Sequence, residues 1–242
     1  MKKLFLSILI LVIISCQPLW AENSCVDCHS SNKDPKLEKT FLSWKESKHA
    51  KLSSACQACH KGDKKAKSKE KAHVWKDIKT SLKEKDIPQT CGRCHIKIYK
   101  SFQESSHYKK VEGDKRAPNC VTCHSPKSGY IIPPEKLETL CMTCHNHFDN
   151  TKKMVILKAK ELYTFYSNSV RPQVDRSFKL LHLAQQQGND VTLSEKLLTL
   201  SQQYHKKSKV SWHHFALDDF ETNINKAFYL SIETEKLLSG TK

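Results

Sequence analysis

Between Cys25 and His145 the chain lacks the periodic apolar pattern of a conventional protein core, and strand-forming residues are scarce. Lysine, serine and aspartate are abundant there instead. A segment of this composition cannot bury enough apolar surface to offset the conformational entropy that folding removes. The sequence therefore excludes an ordinary side-chain core in this region, predicts almost no β-strand, and requires some other material to fill the interior.

The apolar run from Leu4 to Ile14 is too short to cross a bilayer comfortably, but it follows Met1-Lys2-Lys3 as in a secretory signal. We expect residues 1–21 to be a signal peptide cleaved after Ala21, which places the mature protein in the bacterial periplasm. Processing at Cys16 as a lipoprotein is an alternative, and an uncleaved anchor is a third. Membrane association would then depend on a lipid anchor or a partner.

Five copies of the pentapeptide Cys-x-x-Cys-His (CxxCH) fill the segment that lacks a core. In chain order, and called the first to fifth motifs below, they are Cys25-Val-Asp-Cys28-His29, Cys56-Gln-Ala-Cys59-His60, Cys91-Gly-Arg-Cys94-His95, Cys120-Val-Thr-Cys123-His124 and Cys141-Met-Thr-Cys144-His145.

This spacing is typical of covalent haem attachment. Two thiols separated by two residues can each form a thioether with a porphyrin vinyl group, and the next histidine is then the proximal iron ligand. Zinc sites pair such motifs and do not require the histidine, so an odd number of complete motifs disfavours zinc. We predict five haem c groups, bound through the ten motif cysteines and through His29, His60, His95, His124 and His145.

An internal repeat suggests the distal ligands. The pattern aromatic-x-Glu-Ser-x-His-x-Lys occurs at residues 44–51 and again at 102–109, each time between two motifs. We interpret its histidines, His49 and His107, as distal iron ligands, because histidine is a common axial ligand of haem. The alternative is a surface histidine on a short helix. His73 is a further distal candidate, since a tryptophan follows closely.

Apolar residues recur at helical intervals from about residue 151 to 187, where Pro172 should kink or restart the helix. A turn at 188–190 and a capping box from Thr192 to Glu195 predict a second helix through about Lys206. A third should run from about 217 to 238, with Gly240 as its stop. The C-terminal region is thus expected to be an antiparallel hairpin or three-helix bundle.

A histidine pair flanked by aromatics, Ser211-Trp212-His213-His214-Phe215, precedes that last helix. We select His213 ahead of His214 as a distal ligand. His182 lies between leucines and is either a core residue or a ligand. His205 lies beside two lysines and is expected to be exposed, whereas His147 is too close to His145 to bind the same iron.

The fold class we predict is mainly α with much irregular loop and almost no strand. Residues 22–150 form a pentahaem region whose core is stacked haems, and residues 151–242 form a helical region that packs on them. Outside the signal and the motifs, the sequence contains a single methionine, Met154. Bis-histidine ligation and low potentials are therefore expected, because axial methionine raises haem potential.

The formal net charge is +16, and loss of Lys2 and Lys3 with the signal leaves +14. Haem propionates offset much of this charge, so nucleic-acid binding is not inferred. The basic run at residues 61–71 is a solvated loop or a patch that attracts an acidic redox partner.

The five motifs, the repeat and the Trp212-His213 cluster resemble the multihaem c-type cytochromes related to the tetrahaem acceptor of hydroxylamine oxidoreductase and to the pentahaem nitrite reductases. The resemblance covers nearly the whole mature chain and is specific in the motifs. It implies a haem-packed fold with a helical tail and electron transfer in the cell envelope. One difference is that the catalytic haem of those reductases is held by Cys-x-x-Cys-Lys, whereas all five motifs here end in histidine.

We therefore expect an electron carrier and not an enzyme. It would pass electrons between a quinol dehydrogenase or cytochrome donor and a terminal reductase or cytochrome acceptor. One alternative is a multihaem reductase of a small nitrogen or sulfur oxyanion with one open haem site. A lipid-anchored haem protein for assembly or sensing is another. The sequence leaves the oligomeric state open.

Overall fold

The computed structural model describes residues 23–31, 33–52, 56–74, 82–113, 116–125, 129–146 and 150–240. The predicted signal, Cys16 and His147 lie outside these residues. The described chain is mainly helical with irregular loops and contains no β-strand, only an isolated antiparallel bridge between His124 and Ile131. The predicted fold class is confirmed.

The chain divides into two compact units. The first comprises residues 1–82 and 125–130, and the second comprises residues 83–124 and 131–242. The boundaries predicted from the sequence, 22–150 and 151–242, stay a prediction.

The first unit contains five short helices among its described residues: α1 (Ser24–Ser30), α2 (Pro35–Lys45), α3 (Lys48–Lys51), α4 (Gln57–His60) and α5 (Lys69–Ala72). Its apolar cluster is small: buried Val26, Trp44 and Ala50, with Phe41 packed against them. Such a cluster buries little apolar surface, as the composition predicts.

The second unit begins with another set of short helices: α6 (Asp86–Gly92), α7 (Ile96–Gln103), α8 (Ser106–Glu112), α9 (Cys120–Cys123) and α10 (Pro134–Met142). Three longer segments follow. The first is α11 (Asn150–Phe165), continued by a π-helical turn (Tyr166–Val170) and α12 (Arg171–Gln186). The others are α13 (Thr192–His214) and α14 (Leu217–Gly240).

These three segments pack as a bundle around buried Leu162, Val170, Phe220, Ile224 and Ala227. The interface of α13 and α14 contains small polar residues, and the Ser201 hydroxyl donates to the carbonyl of Ala227 at 2.7 Å. Serines at this interface let the two backbones approach closely while their hydroxyls remain hydrogen bonded. Within the described ranges, no helix combines the length and apolar character that a membrane span requires.

The helix ends differ from the sequence prediction in two places. No capping box forms at Thr192; instead the Thr192 amide donates to Asp190 Oδ1 at 3.0 Å. Helix α13 also continues past the predicted end at Lys206 to His214, because Ser208 and Ser211 are buried in the bundle and extend its packed face. The turn at 188–190 is confirmed, and Gly188 there has φ of +78°, which glycine adopts at no steric cost.

Candidate haem-binding sites

Each CxxCH motif folds as a helical turn. In the second to fifth motifs, the histidine amide donates to the carbonyl of the first cysteine, at 2.8 Å in the second motif and 3.0 Å in the other three. The first motif lies inside α1. Residues i, i+3 and i+4 of a helical turn lie on one face. Both thiols and the imidazole of a motif therefore point to the same side, as covalent attachment of one haem requires.

The structure describes all ten motif cysteines, and none of them forms a disulfide. In four of the five motifs the second cysteine is exposed: Cys28, Cys59, Cys94 and Cys144. The chemistry of the donor set, two thiols and one imidazole for each motif, fits covalent haem.

Three motif histidines lie beside a second histidine that belongs to no motif. The ring centroids of His29 and His73 are 6.1 Å apart. Those of His145 and His107 are also 6.1 Å apart, and those of His124 and His213 are 6.0 Å apart. Residues distant in sequence are thus brought together in the same combination three times.

These separations fit two imidazoles bound to opposite sides of one iron. A metal–nitrogen bond to histidine is about 2 Å long. The nitrogen lies roughly 1.2 Å from the ring centre, because the ring bonds are about 1.3–1.4 Å long. Two rings that share an iron therefore have centroids about 6 Å apart. A direct contact between stacked rings would allow a shorter distance.

The second ring nitrogen of two of these histidines is already hydrogen bonded. Nδ1 of His73 lies 2.9 Å from the carbonyl oxygen of Lys69, and Nδ1 of His213 lies 2.6 Å from that of Lys209. A carbonyl only accepts, so Nδ1 donates its proton and Nε2 keeps its lone pair. This arrangement is typical of metal-binding histidines. Nδ1 of His107 is buried and has no hydrogen-bond partner.

The electrostatic surroundings favour neutral imidazoles. Burial lowers the pKa of His124, and the neighbouring His213 and His95 rings lower it further. Burial also lowers the pKa of His29, with His73 as the second cause. The pKa of His107 is lowered by burial and then by His145. Neutral imidazole is the form that binds a metal.

The internal repeat has the same local structure in both copies. Ser47 and Ser105 are buried N-caps, and their hydroxyls accept from the amides of Ala50 at 3.3 Å and Tyr108 at 3.1 Å. Each serine amide also donates to the aromatic residue three positions earlier, at 2.9 Å in both copies. The repeat thus builds a helix, a serine cap and a second helix that begins with Lys48-His49 or Ser106-His107. The capping role of these serines is missing from the sequence interpretation, although Ser-x-His in both copies signals it.

The end of α13 is fixed against α7 and α8. The Ser101 hydroxyl donates to the Val210 carbonyl at 2.7 Å, and His214 Nδ1 lies 3.2 Å from Glu104 Oε2. Phe215 ends the helix with φ of +63°, a left-handed conformation that bulky residues rarely adopt. Its ring lies 4.3 Å from that of His107. These contacts position His213 and enclose one side of His107.

Neighbouring motifs contact one another within each unit. In the first unit the Asn23 amide, just before the first motif, donates to Gln57 of the second motif at 3.1 Å. In the second unit the thiols of Cys91 and Cys120 lie close enough to interact, and this interaction raises the pKa of Cys91. Cys141 lies near enough to Cys123 to add to the rise in that thiol's pKa, which burial mainly causes and which reaches about 11. The first and second motifs are therefore neighbours, as are the third and fourth, and the fourth and fifth.

Gly92, inside the third motif, packs under the ring of Tyr99. A Cβ atom at Gly92 would collide with that ring. The Tyr99 hydroxyl lies 3.2 Å from that of Tyr108. The motif thus depends on glycine at this place because α7 approaches it closely.

The other predicted histidines occupy different surroundings. His49 is half-buried in α3. His182 is exposed on α12, where its Nε2 lies 3.1 Å from Nε2 of Gln186. The distal roles of both stay predictions. The expectation that His205 is exposed is wrong: it is 7% exposed, and its Nε2 lies 3.0 Å from the Tyr166 hydroxyl. It is buried because α13 turns this face toward the π-helical turn, where Tyr166 lies.

Residues 74–147 match the family model of cytochrome c7 and related cytochromes c. The match includes the third, fourth and fifth motifs together with His107. This part of the chain is therefore similar to multihaem c-type cytochromes, which transfer electrons through covalently bound haem. No curated protein and no solved structure shows a significant match to the chain.

His205 should make the stability of the protein depend on pH. Burial lowers its pKa to about 4, Lys209 and Arg171 act in the same direction, and Asp175 opposes them. The unfolded chain binds a proton near pH 6.5, so stability falls as the pH drops from 6.5 toward 4. We expect wild type to lose about 2–3 kcal/mol more than His205→Gln between pH 7 and pH 4.

Urea unfolding of the haem-loaded proteins, followed by far-ultraviolet circular dichroism at each pH, measures this difference. Tyr229→Phe is the matched control, since Tyr229 is 63% exposed, and its pH profile should follow that of wild type. Parallel pH profiles for wild type and His205→Gln would contradict the prediction.

Proposed function

We propose that this chain is an exported pentahaem c-type cytochrome that carries electrons in the bacterial periplasm through mostly bis-histidine, low-potential haems. The observation that supports this function best is the recurrent pairing of a motif histidine with a second histidine at about 6 Å. Six-coordinate haems exchange electrons but have no open position for a substrate at iron. The family match to residues 74–147 supports the same chemistry for part of the chain.

On this proposal the axial ligands of three haems are His29 with His73, His145 with His107, and His124 with His213, and the ring separations support each pair. For the second motif we propose His49 as the partner of His60. Both lie in the first unit, and His49 occupies the place in the repeat that His107 occupies in the other copy. His182 is the distal candidate that remains from the sequence for the third motif, although its exposed position on α12 offers no support for that role.

From the contacts between motifs we infer an order of electron transfer within each unit. In the second unit the fourth motif neighbours both the third and the fifth, so its haem would be the central one. The haems of the third and fifth motifs would then exchange electrons with other centres. In the first unit the first and second haems would form a pair.

The partners we propose are redox proteins: a quinol dehydrogenase or cytochrome as donor, and a terminal reductase or cytochrome as acceptor. Exposed lysines at 61, 64, 65, 67, 69 and 71 surround the second motif and α5. Such a surface attracts an acidic partner and increases the rate of encounter. We also propose that the chain is related to the tetrahaem acceptor of hydroxylamine oxidoreductase and to the pentahaem nitrite reductases. The five motifs and the repeat are the support for this relation.

Five haems are expected in the purified protein, since each motif supplies a complete attachment site. Intact mass spectrometry of the denatured, processed protein should exceed the polypeptide mass by five haem groups. The ferric protein should be low-spin and should not bind nitrite or cyanide. An unmodified mass would refute haem attachment, whereas full occupancy with a high-spin, nitrite-binding haem would favour the alternative of an oxyanion reductase.

A further inference from the structure

A set of aromatic residues lies in the second unit beside the His124–His213 pair and takes no part in haem attachment. Trp212, which directly precedes His213, stacks on Tyr163 with ring centroids 4.9 Å apart and planes 13° apart. The ring centroids of Tyr163 and Tyr166 lie 6.4 Å apart, and their planes differ by 18°. These separations are within the range of aromatic pairs in contact. The rings form a continuous path from the residue next to His213 into the bundle.

The path ends at a hydrogen-bonded tyrosine–histidine pair. The Tyr166 hydroxyl lies 3.0 Å from Nε2 of His205. Burial raises the pKa of Tyr166 to about 12 and lowers that of His205 to about 4. The phenol is therefore protonated and the imidazole neutral at ordinary pH. In this state Tyr166 donates the hydrogen bond and His205 can accept the proton.

Tyr166 is also the first residue of the π-helical turn that interrupts the long segment between α11 and α12. Such turns insert one residue into a helix, and they occur frequently at functional sites. Phe220 and Trp212 already provide aromatic packing in this region, since their ring centroids lie 4.9 Å apart. Burying the imidazole of His205 costs desolvation free energy, which an apolar side chain in the same place would not cost.

We propose that Tyr166 and His205 form a proton-coupled electron donor, linked through Tyr163 and Trp212 to the haem site at His124 and His213. Its role is to remove an oxidising equivalent from that site when the protein meets a strong one-electron oxidant. The inference rests on the proposed function, because the path begins at a haem-binding pair.

Tyr166 loses one electron, which passes through Tyr163 and Trp212 to the strong external oxidant at that haem site, and the oxidant is reduced by one electron. At the same time the O–H bond of Tyr166 breaks and its proton binds Nε2 of His205. The products are a neutral phenoxyl radical and an imidazolium. One electron from the redox donor proposed above, and the return of the proton from His205, would restore the phenol.

The test uses the haem-loaded protein with all haems ferric, and photogenerated tris(bipyridine)ruthenium(III) as the oxidant. Samples frozen at successive times are measured by electron paramagnetic resonance. Wild type should give a tyrosyl radical whose largest g value is lowered by a hydrogen bond, with a proton coupling that disappears in D₂O. Tyr166→Phe should lose this component. Tyr229→Phe is the matched control and should retain it, since Tyr229 is 63% exposed on α14.

Removing the proton acceptor should slow the reaction. His205→Phe is expected to form the Tyr166 radical about 100-fold more slowly, the effect of losing a positioned base. Trp212→Phe should slow it as well, because the path loses its most easily oxidised ring. Equal radical formation in wild type and Tyr166→Phe, or unchanged rates in His205→Phe, would overturn the proposal and leave the pair a structural hydrogen bond.

Measurements on the same samples distinguish a failure of the proposed function from a failure of this inference. Intact mass and the visible spectrum report haem occupancy and ligation. Missing haems would contradict the proposed function itself. Full haem occupancy without a Tyr166 radical would contradict this inference alone. Far-ultraviolet circular dichroism of each variant confirms that the bundle is folded.

Discussion

Replacing His213 by alanine is expected to convert one haem from low-spin to high-spin, whereas replacing the adjacent His214 by alanine should leave the ferric spectrum unchanged. The ring of His213 lies 6.0 Å from that of His124, and its Nδ1 is fixed by the Lys209 carbonyl at 2.6 Å. Its removal would open one axial position on the iron. His214 instead contacts Glu104, with its Nδ1 3.2 Å from Glu104 Oε2.

The visible and paramagnetic resonance spectra of the ferric variants measure this change. His214→Ala is the matched control, because it removes an imidazole from the position next to His213. The variant His213→Met should remain six-coordinate and show a higher potential for one haem, since axial methionine raises it. A low-spin spectrum in His213→Ala would show that His213 is not an iron ligand.

Replacing Phe220 by alanine is expected to destabilise the C-terminal bundle by about 3–5 kcal/mol. Phe220 is 1% exposed, and its ring contacts those of Trp212 at 4.9 Å and Tyr166 at 5.7 Å. Truncation would remove buried apolar surface and leave a cavity that three packed segments cannot fill. Because Trp212 precedes His213, loosening of this core should also weaken the ligation of one haem.

Urea unfolding, followed by circular dichroism at 222 nm as the usual helix signal, compares the variants of the haem-loaded protein. Tyr229→Ala on the same helix is the matched control, since the side chain is 63% exposed and its loss should change stability by no more than about 0.5 kcal/mol. Equal destabilisation by the two substitutions would mean that Phe220 is not part of a packed core. A high-spin fraction in Phe220→Ala alone would support the coupling to His213.

The sequence predicts the helices of the bundle well because their apolar residues repeat with the helical period. It locates their ends poorly. Thr192 and Glu195 have the form of a capping box, yet Asp190 provides the cap. The lysines after His205 suggested an exposed histidine, although the helix turns its imidazole toward Tyr166. In both cases the deciding interaction involves a residue outside the local pattern.

The local chemistry of the haem sites follows directly from the sequence, because CxxCH places two thiols and an imidazole on one helical turn. The composition likewise indicates that the first half of the chain needs a core other than side chains. The pairing of three motifs with a second histidine, and of Tyr166 with His205, is visible only in the folded protein. Motif geometry depends on residues within five positions, whereas these pairings depend on how separate helices pack. Packing is set by the combined burial of many side chains that no single motif contains.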